Sequence, residues 1–254
     1  QNDFYDYKIS SAKPSSENED EGVSLQVDWE TDAFLLTSIT SYRQYDSYDF
    51  TDAIFTDLDG AYRDNDASQD QFTQELRLSN EGEKLSYVAG LYYYKQNLDN
   101  DRTTIVGDDL TALLGLEGIS DLVGANAFVG GTGSRDRNEQ EHTSYAIFGQ
   151  VDYNLTDTLV LTTGLRWTYE EKDMTNVFTQ DAPPAPPPFE DNWAFYQFPP
   201  LVPQPNVDED FDDNKVTGTA KISWFMNDDI MLYASYGTGY KSGGYDGQQF
   251  SSYL

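Results

Sequence analysis

The chain has 254 residues, a mass of 28.7 kDa, no cysteine and one histidine, and its 45 acidic residues against 15 basic ones give a formal charge of −30. That charge excludes a basic nucleic-acid footprint, which needs a positive groove, and the lack of cysteine excludes disulfides, thiolate chemistry and Cys-based zinc sites. No apolar run reaches the roughly 18 residues of a membrane-spanning helix, whereas a β-barrel, which crosses in short alternating strands, stays open.

The 19 Tyr, 14 Phe and 4 Trp coexist with a mean hydropathy of −0.65, so the apolar content sits in rings and β-formers. Eight segments alternate with period 2, the signature of strands. In Gly22–Glu30, Val23, Leu25, Val27 and Trp29 share one side. A second strand runs from about Phe34 to Tyr48, with a softer alternation that leaves its faces unassigned. The third, Gln71–Ser79, sets Phe72, Gln74, Leu76 and Leu78 against Thr73, Glu75, Arg77 and Ser79. A turn over Asn80–Lys84, with Gly82 as its permissive residue, leads to the fourth, which groups Leu85, Tyr87, Ala89, Leu91 and Tyr93.

The fifth, about Thr143–Leu155, alternates Tyr145, Ile147, Gly149, Val151 and Tyr153 with Ser144, Ala146, Phe148, Gln150 and Asp152. In the sixth, Leu159, Leu161, Thr163, Leu165, Trp167 and Tyr169 oppose Thr162, Gly164, Arg166, Thr168 and Glu170. The seventh, Lys215–Phe225, sets Val216, Gly218, Ala220, Ile222 and Trp224 against Thr217, Thr219, Lys221 and Ser223. The eighth spans Ile230–Lys241.

Short turns near 31–33, 80–84, 156–158 and 226–229 interleave with long segments near 49–70, 97–142 and 173–214. Short turns at one rim and long loops at the other are the rhythm of an outer-membrane barrel. The charge-free apolar face of strands six and seven, opposed by Arg166, Glu170 and Lys221, fits an apolar-out, polar-in wall. Trp29, Trp167, Tyr169 and Trp224 fall near strand ends, as interfacial girdles do. The expected fold class is therefore all-β, an antiparallel transmembrane barrel; a soluble sandwich with the apolar faces inward is the alternative. Asp173–Asn214 holds nine acidic residues, no Lys or Arg, and nine of the ten prolines, which favour polyproline II over a ladder. Leu110–Val123 reads as a short helix within its loop. The polar first twenty residues and the missing strand after Tyr240 read as a slice of a larger barrel, since an open sheet edge has no partners in lipid.

The stretches FTQELRLS at Phe72–Ser79, SYAIFGQVDYNLTDTLVLTTGLRWTYEEKD at Ser144–Asp173, LYASYGTGYKSGGYDG at Leu232–Gly247 and TSITSYR at Thr37–Arg43 resemble barrel strands of TonB-dependent outer-membrane receptors of the siderophore type. The resemblance covers most strands from about 22 to 247 and leaves the long loops unmatched. It implies a 22-stranded barrel around an N-terminal plug, of which this chain is a middle portion with about eight strands and with neither plug nor C-terminal strands. It further implies a scarce-nutrient cargo, a ferric siderophore or other iron complex, with no resident cofactor and no enzymatic activity. The implied partners are outer-membrane lipid, TonB acting through the N-terminal region, and a small metal chelate or other nutrient; the receptor would be monomeric in the bacterial outer membrane.

By alternation, Arg77, Arg166 and Lys221 are lumen-facing candidates for ligand binding, and each equally suits an ordinary ion pair with Glu75 or Glu170 on a wet wall. Tyr240, Lys241 and Tyr245, with Gly243 and Gly244, leave strand eight where solute capture is expected, or serve as turn and interface residues. Asp208, Asp210 and Asp212 offer hard oxygens to calcium, without the glycine and glutamate of an EF-hand loop, so a solvated acidic loop is the preferred reading. His142 reads as a polar residue at a strand entrance. Two functional alternatives remain: a passive porin-like channel, and a soluble carbohydrate-binding or adhesion module using aromatic platforms.

Overall fold

The computed structural model describes residues 12–123, 127–181 and 201–244. Eight strands, β1 (Ser15–Glu30), β2 (Leu35–Asp52), β3 (Ala61–Asn80), β4 (Leu85–Val106), β5 (Gly133–Thr156), β6 (Leu159–Asp181), β7 (Val207–Asn227) and β8 (Ile230–Gly237), form one sheet. Each pairs antiparallel with its sequence neighbours, in the order β1 to β8. Two short helices, α1 (Leu110–Leu113) and α2 (Glu117–Val123), lie between β4 and β5, within the stretch expected to be helical.

Because side chains alternate strictly along a strand, the register fixes both faces of the sheet. Val23, Leu25 and Val27 share a face with Ser38 and Thr40 of β2, which resolves the ambiguous strand. The face continues through Leu76 and Leu91, Ile147 and Trp167, then Leu165, Gly218 and Val216. It lies open: Val23 and Leu165 are each 68% exposed. A soluble sandwich would cover such a face, so the alternative of inward apolar faces is not what this sheet adopts.

An aromatic row bounds the apolar face on the side away from the short turns. Tyr42 pairs with Phe72, Tyr93 with Tyr145, and Tyr145 with Tyr169. The rings of Phe72 and Tyr93 lie 6.0 Å apart, and those of Tyr93 and Tyr145 lie 5.2 Å apart. Trp29, Tyr87, Tyr153 and Trp224 form a second row near the turns. From Tyr145 to Tyr153 the strand rises roughly 27 Å at about 3.4 Å per residue, which tilt brings close to the roughly 25 Å apolar band of an outer-membrane barrel. No charged side chain stands on this face between the rows.

The strands do not stop at the upper row. Strands β3 to β7 are 20 to 24 residues long, about twice what a tilted crossing needs. The loops expected at 49–70, 97–142 and 173–214 are corrected accordingly: β2 runs to Asp52 and β3 starts at Ala61, β4 runs to Val106 and β5 starts at Gly133, and β6 runs to Asp181 and β7 starts at Val207. Beyond the aromatic row both faces are polar, so alternation of hydropathy vanishes while backbone pairing continues. Ion pairs accompany the extension: Lys95 with Glu141 at 2.9 Å, Arg137 with Glu139 at 2.8 Å, and Arg135 with Asp101. Exposed pairs of this kind add little, since solvent screens them, so the ladder itself is the main support. At the other extremity β8 ends at Gly237, four residues short of the expected Lys241.

The short turns are stitched sideways. Asn80 Nδ2 donates to the Ala33 carbonyl at 2.6 Å, Asn154 Nδ2 to the Glu83 carbonyl at 2.6 Å, and Asn227 Oδ1 accepts from Ile230 N at 2.9 Å. Gly82 is needed there for close approach rather than for an unusual backbone angle, since a Cβ would stand 2.7 Å from the Leu85 carbonyl oxygen. The most buried apolar side chains, Ala61, Val106, Leu110, Ala127, Phe128, Met174 and Leu201, all belong to the upper extension and its connections.

Candidate functional site

The polar face bears a cavity of about 360 Å³ lined by Tyr92 and Tyr94 of β4, His142 and Ser144 of β5, Arg166, Thr168 and Glu170 of β6, Thr217 of β7, and Tyr240. It sits level with the upper aromatic row and just above it. Two of its lining side chains, Ser144 and Thr168, are small and buried, which leaves room between larger neighbours.

Arg166 is held by three contacts. Its guanidinium lies 5.5 Å from the Tyr92 ring centroid and 5.7 Å from that of Phe148, and its Nε donates to Thr168 Oγ1 at 3.1 Å. Stacking between rings orients a planar cation without consuming all its donors, and each such contact contributes about 0.5–2 kcal/mol. Gly90 makes this arrangement fit. It pairs directly with Phe148, whose Cζ would stand 2.5 Å from a Cβ at residue 90.

On the upper side, the Tyr94 and His142 rings meet edge to face at 5.1 Å, and Tyr94 Oη donates to Gln96 Oε1 at 2.8 Å. His142 Nε2 is buried without a hydrogen bond, with Glu170 Oε1 at 3.8 Å. Burial lowers the His142 pKa first, the Lys172 charge adds to this, and Glu170 opposes it. A histidine with a lowered folded pKa is neutral in the fold and binds a proton more readily when unfolded. Its contribution to stability is therefore present above about pH 6.5 and is lost as pH falls through the folded value. The intact protein is expected to lose thermal stability between pH 7 and 5, with a shallower dependence in His142→Gln; identical slopes in a pH series of melting curves would exclude this assignment.

Tyr240 joins the cavity lining from beyond β8. Its hydroxyl donates to Asp213 Oδ2 at 3.0 Å and also contacts Glu170 Oε2 at 3.4 Å. The segment is drawn over the sheet by Lys172 Nζ, which donates to the Gly243 carbonyl at 2.6 Å, and Gly243 packs where a Cβ would press on the Phe211 ring at 2.8 Å. Burial, aided by Asp213 and Glu170 and opposed by Ser242, raises the Tyr240 pKa and keeps the phenol protonated.

The structure thus brings together two of the expected residues, Arg166 and Tyr240, and separates the others. Arg77 is on the polar face but ion-paired with Glu75, nearer the short turns. Lys221 is on the same face opposite Thr162, exposed and without an ion pair among the described residues. Lys241 is exposed beside Tyr240, and Tyr245 lies outside the described residues. Asp208, Asp210 and Asp212 project from successive positions of the other face of β7, opposite Thr175, Asp173 and Glu171. Among the described residues, no three His, Cys, Asp or Glu side chains are grouped to hold a metal ion. Sequence reasoning missed Tyr92, Tyr94, Ser144 and His142 as site residues; their even numbering on strands whose odd positions are apolar was the available signal.

The sheet resembles solved structures of outer-membrane receptors. The ferric yersiniabactin uptake receptor FyuA from Yersinia pestis matches with a TM-score of 0.63 and 13% identity, over 87% of this chain and 28% of that one. The siderophore receptor PiuA from Acinetobacter baumannii matches with a TM-score of 0.54 and 15% identity, over 88% of this chain and 32% of that one. This chain therefore spans about a third or less of the length of either receptor. A search of curated proteins found no match. The family described as TonB dependent receptor-like, beta-barrel matches residues 1–253. The open apolar face, its two aromatic rows and this match have one meaning: the chain belongs to the TonB-dependent receptor β-barrel family of the bacterial outer membrane.

Proposed function

We propose that this chain is part of the wall of a receptor that binds a scarce nutrient, a ferric siderophore or a related iron complex, and imports it with energy delivered through TonB. The observation that carries the reading is the cavity on the polar face. A passive channel needs only a hydrated wall, whereas here Arg166 is oriented between Tyr92 and Phe148, and Tyr240 reaches the same cavity from beyond β8, held by Asp213. Aromatic faces and an oriented guanidinium suit a ligand with delocalised rings or negatively charged oxygens. FyuA is a ferric yersiniabactin uptake receptor and PiuA a siderophore receptor, which supports the same reading. The larger barrel, the plug and the contact with TonB are parts of this proposal.

The test uses the intact receptor gene in an iron-starved host stripped of its own iron receptors. Growth on supplied ferric siderophores is expected only when both the receptor and a working TonB are present. Solute entry that persists without TonB would replace the reading with the porin-like one.

A further inference from the structure

Higher on the polar face, beyond the cavity, the sheet collects a second polar group. Arg102 of β4 stands opposite Asn65 of β3, with Arg63 two residues further along β3. Arg102 Nη2 donates to Asp136 Oδ2 at 3.2 Å, and Asp136 Oδ1 also accepts from Asn176 Nδ2 at 3.2 Å. Arg63 is different. Its Nε is buried without a hydrogen-bond partner, and it forms no ion pair among the described residues. The nearest carboxylate by register on the same face, Asp49 of β2, accepts instead from Ser47 Oγ at 3.2 Å.

Two further atoms are left open further along the same face, next to Asp136. Asn138 is 7% exposed with a free Nδ2 donor, and Asn176 is 2% exposed with a free Oδ1 acceptor. The two sit directly opposite each other on β5 and β6. Within a chain of charge −30, the group sets two guanidiniums beside Asp136, which is taken by Arg102 and Asn176, and Asp49, which accepts from Ser47. Burial first, and then repulsion from Arg102, lower the Arg63 pKa, and its half-buried cation has no ion pair among the described residues. Such a charge is costly unless an anion meets it, and a guanidinium is shaped to meet a carboxylate.

We propose that Arg63, with Arg102 and the free amide of Asn138, forms an anion subsite that takes the carboxylates of a polycarboxylate metal chelate. By strand spacing the Arg63 and Asn138 backbones stand roughly 16 Å apart, so a chelate with several acids spans them and a single small anion does not. The assignment rests on the receptor reading, and it narrows the class of ligand. The upper group would meet the chelate's acids while the cavity below takes its body.

The experiment titrates the purified intact receptor with ferric citrate, with a charge-neutral ferric trihydroxamate, and with metal-free citrate. The proteins are wild type, Arg63→Gln and, as a control, Arg137→Gln, whose guanidinium lies on the other face with Asp99 and Glu139. Arg63→Gln is expected to weaken ferric citrate at least tenfold and to leave the neutral chelate unchanged, while Arg137→Gln changes neither. If both ferric chelates bind and Arg63→Gln alters neither, the subsite is overturned and the receptor reading stands. Citrate binding that depends on Arg63, without binding of either ferric chelate, would overturn the chelate assignment and sink the receptor reading with it. Equal losses for both chelates with a lowered melting temperature would make Arg63 a structural partner of the receptor's own acids and overturn the proposal, as would the absence of all binding.

Discussion

Arginine in place of Leu165 is expected to destabilise the intact barrel by about 2–4 kcal/mol, the cost of a cation at the bilayer midplane. Leu165 is 68% exposed on the apolar face, pairs with Gly149 and Gly218, and lies below the row that contains Tyr169. Arginine at Thr175, on the same strand and face but above that row, should cost less than about 1 kcal/mol. There the neighbours opposite are Glu139 and Asp208, so the new cation gains partners. Unfolding midpoints of the receptor in lipid vesicles measure both. Equal costs would show that the aromatic row does not mark the edge of the hydrocarbon, and the division of each strand into a membrane half and an outer half would fall.

How much of this was legible follows from where hydropathy alternates. Leu161, Thr163, Leu165 and Trp167 face lipid while Thr162, Arg166 and Thr168 do not, so the solvent contrast across the sheet is written into the residues. Strand identity, order and face could be read from it. Above the row, Asp64, Asp66, Asp70, Glu139, Glu141 and Asp173 share the outward face, and both faces meet water. The ladder there is held by backbone pairing, which leaves no trace in composition, so strand was taken for loop. The cavity was half legible for a related reason. Arg166 and Tyr240 drew attention through charge and position, whereas Tyr92 and Tyr94 flank the girdle residue Tyr93 in a run of three tyrosines. Only the period of 2 separates the lipid-facing ring from the two that line the site.

The largest effect on ligand binding is expected from Arg166→Ala, a loss of about 10- to 100-fold in affinity for the ferric ligand, together with a stability loss of about 1–4 kcal/mol from its two ring contacts. The guanidinium is the cation of the cavity wall, fixed by Tyr92, Phe148 and Thr168. Removing it forfeits a charge-assisted contact worth about 1.5–3 kcal/mol. No carboxylate is orphaned, because Arg166 has no ion-pair partner among the described residues, and a melting curve measures the lost ring contacts apart from the lost affinity. Arg166→Lys should recover only part of the affinity. Lysine keeps the charge but lacks the planar fork and the ring stacking that aim it. Tyr92→Leu should then weaken binding in wild type and have less effect in the Arg166→Ala background, since the ring acts through the guanidinium it orients. Additive losses in that double-mutant cycle would mean that Tyr92 contacts the ligand independently. An unchanged affinity in Arg166→Ala would remove the cavity from the uptake path altogether.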